Sequence, residues 1–409
     1  MARNLKISVI LLGLCSAGAA LAADHPGQTF LVTADKMPKP YATAAGDFHS
    51  TVIPRPSGAA LEVPKGFSVS VFADHLSNAR WMALAPNGDV FLAEPGAGKI
   101  TLLRDSKGAG HADLVTTFAS GFDKPHGLAF HDGALYVADM KAVWRIPYKD
   151  GATTGGKPVQ ITKAADLRPK GNHVTRDIAF DSKGNIYLGF GSRDNISDFR
   201  PGAEVDKITP DGNMTPFATG IRNPVGVVFY PGTDNLYVTV NERDGLGNGL
   251  VPDYFTHVQP GGFYGYPYSY IGANRDPQSI YKDQHPELAA RAIVPDVLFQ
   301  SHSAPLGLVF YEGSQFPAAY KGDAFVALHG SWNANDPTGY KVVRIRFHNG
   351  KPEKGYENFL TGFWTGGKTQ SGGAEVWGRP AGLAVAKDGS LLIADDAGNV
   401  VWRVAYTGK

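Results

Sequence analysis

The chain has 409 residues, with 39 Lys and Arg against 38 Asp and Glu and a formal net charge of +1. That balance, without any basic tract, excludes the electrostatic footprint of a nucleic-acid or anionic-membrane binder. Its 50 glycines, 28 prolines and many aromatics exclude a disordered or coiled-coil chain and favour a turn-rich all-β protein, of two domains or one large one.

Residues 1–22 read as an export signal. Arg3 and Lys6 precede an apolar run from Ile7 to Leu14, and Ala20-Leu21-Ala22 forms a small-x-small cleavage site. The run is far shorter than the ~20 apolar residues that cross a bilayer, so no membrane span is expected. Cys15 is the one cysteine; the bulky Leu14 before it suits a lipoprotein peptidase poorly, and Cys15 leaves with the signal. The mature periplasmic chain, from about Ala23, then has no disulfide, no thiolate metal site, no cysteine nucleophile and no CxxCH haem attachment. Residues 23–60 carry several prolines and no periodic pattern, and are expected to run as an extended segment along a domain formed by 61–409.

Within that domain six stretches repeat: MALAPNGDVFLAE from Met82, GLAFHDGALYVAD from Gly127, DIAFDSKGNIYLGFG from Asp177, GVVFYPGTDNLYVTV from Gly226, GLVFYEG with DAFVALHG from Gly307, and GLAVAKDGSLLIAD from Gly382. Each is an apolar strand, a turn rich in Asp, Asn and Gly, and a second apolar strand, the pattern of a β-hairpin. The copies lie roughly 45 to 50 residues apart at first and about 75 to 80 later, which predicts a six-bladed β-propeller of four-stranded antiparallel blades with insertions in its second half. Alternating stretches such as KITLLRD, AVWRIPY, YKVVRIRF and NVVWRVAY supply outer strands. The insertions run from about Asn241 to Ser301, holding QPGGFYGYPYSYIG, and from about Asn349 to Arg379; long patternless loops in a compact domain are commonly functional.

The first strand of each propeller blade lies innermost, so the residues just before it gather at the mouth of the central channel. Those positions hold Arg80, His126, His173 with Arg176, Arg222 with Asn223, His302, and Arg379. A single Arg there is ordinarily a salt-bridge partner and a single His a satisfied polar residue. Six converging positions ask for a multiply anionic ligand, because like charges brought together are costly without one. Glu242, Asp244 and Asp253 lie on a glycine-rich loop whose oxygens suit a hard cation such as Ca2+, although Asp and Gly also simply make turns.

NHVTRDIAFDSKGNIYLGFGSRDN, GIRNPVGVVFYP, GGFYGYPY and GRPAGLAV together resemble the soluble quinoprotein glucose/sorbosone dehydrogenases from about Val63 to the end, and HGSWN at His329 to Asn333 is most similar to the sorbosone dehydrogenase branch. The resemblance implies a six-bladed propeller using pyrroloquinoline quinone (PQQ) with Ca2+ to oxidise a sugar or sugar aldehyde. It implies His173 as the base that takes the substrate hydroxyl proton, an apt role for an imidazole with a pKa near 6.5. It also implies that Arg222, Asn223 and Arg379 hold the cofactor, with Arg80, His126 and Asn172 around it, and that electrons leave to a separate periplasmic cytochrome or quinone. The chain departs from the glucose-oxidising members at Asn172, where they carry an acid, at Trp377, where a second arginine is expected, and at His126, where relatives carry an amide. A Ca2+-dependent propeller hydrolase of the lactonase type and a non-catalytic binding propeller, stacking sugars on GGFYGYPYSY, are the competing readings.

Overall fold

Each repeat folds as an antiparallel strand pair, because its apolar alternation has one face to bury and its Asp/Asn/Gly turn reverses the chain. The computed structural model describes residues 24–163, 167 and 171–408, so the expected export signal lies outside the described residues. The pairs are Trp81–Leu84 with Val90–Glu94, Leu128–His131 with Ala134–Ala138, Ile178–Phe180 with Ile186–Phe190, Pro224–Phe229 with Leu236–Val240, Pro305–Phe310 with Ala324–Leu328, and Pro380–Val385 with Leu391–Asp395. They form the inner halves of sheets one to six, taken in that order. Each of these six sheets has four strands except the fifth, where Thr29–Phe30 adds to the outer edge. All second strands are buried from end to end, as sheet packing on both faces requires.

The first strands touch in cyclic order, one against two and so on to six against one. The sixth sheet takes its outer strand, Phe67–Ala73, from the opposite end of the chain, paired antiparallel to Val400–Tyr406. The architecture is all-β and consistent with a β-propeller.

Close approach of these strands explains the glycine that opens four of the repeats. A Cβ on Gly127, Gly226, Gly307 or Gly382 would collide with backbone of the next first strand, at Arg176, Leu306, Ala381 and Arg80 respectively. Sheets one and three carry Trp81 and Asp177 there instead, and the Trp81 side chain, from a non-adjacent sheet, favours the Asp177 carboxylate. Asp177 also accepts Val227 N–H at 2.8 Å, and burial pushes its carboxyl up to about 8. Arg176 and Asp177, though adjacent in sequence, do not pair with each other. Arg176, fully buried, donates to the carbonyls of Leu167, His173 and Thr175 and lies 3.7 Å from the Phe190 ring centroid.

Residues 24–60 run over the sheets in extended form: Tyr41 N–H donates to Leu246 O, Phe48 N–H to Trp332 O, and Thr51–Val52 pairs in parallel with Ala374–Val376. In the first insertion Tyr264, Tyr266, Tyr268 and Tyr270 are only 1 to 5% exposed. They form its core, which removes GGFYGYPYSY as an open stacking surface. No helix among the described residues is long and apolar enough to cross a membrane.

Candidate functional site

One end of the sheets carries the starts of the first strands and the ends of the second. A cavity of about 440 Å³ opens there over sheets three, four and five. Asn172 and His173 line it from before the third sheet, Arg222 and Asn223 from before the fourth, and His302 from before the fifth. Asn195, Asn241, Glu242, Asp244 and Trp332 come from loops after second strands, and Asp253 from the third strand of the fourth sheet.

His173 is half-buried, and its Nδ1 lies 2.6 Å from Ser192 O. A carbonyl only accepts, so Nδ1 carries the proton and the Nε2 lone pair is left without a partner among the described residues. Burial and then the Arg222 charge push the imidazole down to about 3, so it is neutral at physiological pH. Tyr266 anchors the supporting loop: its hydroxyl accepts Ser197 N–H at 2.7 Å and donates to Asp194 O at 3.2 Å. Gly191 is required beneath it, since a Cβ would collide with both Asn223 Oδ1 and His173 Cβ.

Arg222 is 4% exposed and donates to Asn195 O, Asn241 O, Glu242 O and Asn195 Oδ1 at 2.7 to 3.3 Å. Asp244 faces it at 3.5 Å. The other Asp244 oxygen accepts Asn333 Nδ2 at 2.6 Å and lies 3.5 Å from His302 Nδ1, while His302 Nε2 meets Gly247 O at 3.1 Å. Burial works against both charges, but the His302 hydrogen bond and the Arg222 charge hold Asp244 below the usual carboxylate range. His302 is held above its ordinary value by the Asp244 hydrogen bond and the Asp253 charge.

Glu242 and Asp253 behave oppositely. Asp253 accepts the amides of Glu242 and Ala304, both at 2.8 Å, and Glu242 Oε2 accepts Arg243 N–H at 3.0 Å. Burial pushes each carboxyl up to about 7. Asn223 Oδ1 is buried without a hydrogen-bond partner among the described residues. The cavity thus holds unsatisfied polar atoms beside two carboxyls that favour a proton or a cation.

The three residues expected to hold a metal, Glu242, Asp244 and Asp253, are differently engaged. All three line the cavity, but no group of three or more His, Cys, Asp or Glu poised for a metal is assembled among the described residues. Asp244 is turned to Arg222, His302 and Asn333, leaving Glu242 and Asp253 as the adjacent pair.

The expected ring of cations is also divided. Arg80, His126 and Arg379 lie outside the cavity, toward sheets one, two and six. Arg80 is ion-paired to Asp396, whose other oxygen meets His329 Nε2 at 2.9 Å. Arg379 donates to His329 O at 3.1 Å and Gly330 O at 2.8 Å. Despite its burial, Asp396 is held far below the carboxylate range by His329 and Arg80, so an internal acid already meets these cations. His126 is 3% exposed, its ring centroid 4.3 Å from that of Trp81, and neither ring nitrogen has a partner. Burial, then the Arg80 charge, holds it well below its ordinary value. Asn195, Ser192, His329 and Asp396 were assigned no role from sequence; the signal that finds them is position, since each lies in or beside a loop after a second strand, at the same end as the first-strand starts.

A family model described as TrAA12-like matches residues 61–204 and 207–407. The chain belongs to the TrAA12-like family. It is 29% identical over 366 residues to an uncharacterized protein of Borreliella burgdorferi, spanning 85% of this chain and 91% of that one. It is 25% identical over 340 residues to a pyrroloquinoline quinone-dependent pyranose dehydrogenase of Coprinopsis cinerea; the match spans 70% of this chain but only 44% of that protein. The holo form of a pyranose dehydrogenase PQQ domain from the same species superposes with a TM-score of 0.71 at 20% identity, covering 88% of this chain and all of the domain. A PQQ-bound aldose sugar dehydrogenase of Streptomyces coelicolor gives 0.59 at 19% identity, covering 84% and 99%. The resemblance to PQQ-dependent sugar dehydrogenases therefore holds.

Proposed function

We propose that this chain is a periplasmic, six-bladed, PQQ- and Ca2+-dependent dehydrogenase of a sugar or sugar aldehyde. The observation that carries the reading, within this family, is His173: its Nδ1–H is held on Ser192 O and its Nε2 is left for the cavity that Arg222 and Asn223 border. The residues present fit the cofactor, since Asn223 Oδ1 is buried without a partner and Gly191 clears room beside it and His173. PQQ supplies the two-electron acceptor. Nε2 of His173 takes the hydroxyl proton of the sugar, and the Nδ1–H···O=C bond stabilises the imidazolium that results. An anionic cofactor near Arg222 offsets the charge that depresses His173, which raises its basicity when loaded. Arg222 and Asn223 orient the cofactor, and Glu242 and Asp253, with nearby carbonyls, hold Ca2+. Export rests on Arg3, Lys6, Ile7–Leu14 and Ala20-Leu21-Ala22, and the electrons pass to a separate cytochrome or quinone.

The test is an absorbance titration of the purified protein with PQQ and Ca2+, followed by addition of aldoses and sorbosone. Bleaching of the bound quinone that needs both additions is expected. A spectrum unchanged by PQQ, or lactone hydrolysis without it, overturns the reading.

A further inference from the structure

Beside the site cavity lies a second space of about 340 Å³, walled by Ala45, Gly46 and Asp47 and sharing Asn195, Asp244, His302 and Trp332 with the first. Each space is in the roughly 300–1,000 Å³ range of small-molecule sites. The added wall comes from residues before 61, where the family match begins. It is tied down on two sides. Thr43 Oγ1 accepts Asn248 N–H at 2.8 Å, and Phe48 N–H donates to Trp332 O at 2.7 Å.

That second tie sets the His49 ring nearly parallel to the Trp332 indole, with centroids 5.4 Å apart and planes at 20°. His49 Nε2 lies 2.9 Å from Asp47 Oδ1. Trp332 stays 40% exposed and borders both spaces. The second space thus offers an indole edge, the Asn333 amide and the Asp47 carboxylate, while Asn195 and Asp244 are already engaged by each other's segments, Arg222 and Asn333. A pyranose ring presents the complement: an apolar C–H face and a rim of hydroxyls that donate and accept. The exposed Asp47 carboxylate disfavours an anionic occupant.

We propose that the second space is a subsite for a further sugar ring, so that the substrate is a short oligosaccharide, oxidised at the ring in the first cavity and held through its linked ring against the Trp332–His49 pair. This rests on the sugar dehydrogenase reading. Calorimetric titration of the purified protein with cellobiose, maltose and glucose tests it without turnover. At least one disaccharide should bind about tenfold more tightly than glucose, and His49→Ala and Asp47→Ala, both at exposed positions, should each remove most of that advantage. In the PQQ- and Ca2+-loaded protein, the ratio of disaccharide to glucose kcat/KM should fall in step. Glucose binding as tightly as both disaccharides, or an advantage that survives both substitutions, overturns the subsite. If the loaded protein oxidises no sugar, the dehydrogenase reading falls, and the calorimetric comparison still decides the subsite.

Discussion

Glu242 and Asp253 tie cation binding to pH in a way that can be worked out. Both carboxyls are buried, stand at about 7, and are linked through the Glu242 amide. A divalent ion needs carboxylate, so each group must give up its proton on binding. At pH 6 each is about one-tenth ionised, at pH 7 about half and at pH 8 about nine-tenths. If both coordinate, binding releases about one proton at pH 7 and nearly two at pH 6, and apparent Ca2+ affinity rises about 100-fold from pH 6 to pH 8. Glu242→Gln should cut that rise to about tenfold while lowering affinity at pH 8. Without the ion the stability effect has the opposite sense. A carboxyl raised in the folded state keeps a proton that the unfolded chain loses above about 4, so its contribution fades as pH climbs from there through 7. The assay is calorimetric titration with Ca2+ at pH 6, 7 and 8, in two buffers of different ionisation enthalpy. Affinity constant within twofold across that range, with no proton release, would refute the assignment of these carboxyls.

His173→Ala should bind PQQ with an unchanged absorbance titration yet reduce it about 10²- to 10⁴-fold more slowly, the usual contribution of a general base; equal rates would remove His173 from the chemistry. Arg222→Lys keeps the charge but leaves at least one of four hydrogen bonds unmade, so a stability loss of roughly 1–3 kcal/mol, read as a lower denaturation midpoint, is expected together with weaker PQQ binding. Gly191→Ala should abolish PQQ binding while circular dichroism stays native, because the added methyl displaces Asn223 and His173. Tyr266→Phe loses the donor to Asp194 O and weakens the hold on Ser197; the expected result is a lower kcat at unchanged KM.

The repeat was readable because period-2 apolar runs and Asp/Asn/Gly turns are local properties. Even the glycines that open four of the repeats were visible, though their cause, backbone meeting backbone in another sheet, was not. Seven of the ten candidate site residues share one cavity because sequence position before a first strand, or after a second, maps directly to one end of the sheets. What sequence could not show is which acid meets which cation. Asp396 lies 316 residues from Arg80 and 67 from His329. Asp244 looked like a ligand by composition, yet Arg222, His302 and Asn333 reach it from three separate segments. The tyrosines of the first insertion misled for a related reason: an aromatic run reads alike whether it packs inward or stacks a ligand, and only the burial of Tyr264 to Tyr270 separates the two.

The pairing of Phe67–Ala73 with Val400–Tyr406 sets an order in time. A ribosome delivers the first of these strands more than 300 residues before the second, and the sixth sheet has no outer partner until then. All strands of sheets one to five precede residue 380, but the sixth sheet waits for the final stretch. A chain stopped short of residue 400 therefore leaves Phe67–Ala73 without the strand it pairs with. A complete sixth sheet is therefore a property of the finished chain, never of a nascent one.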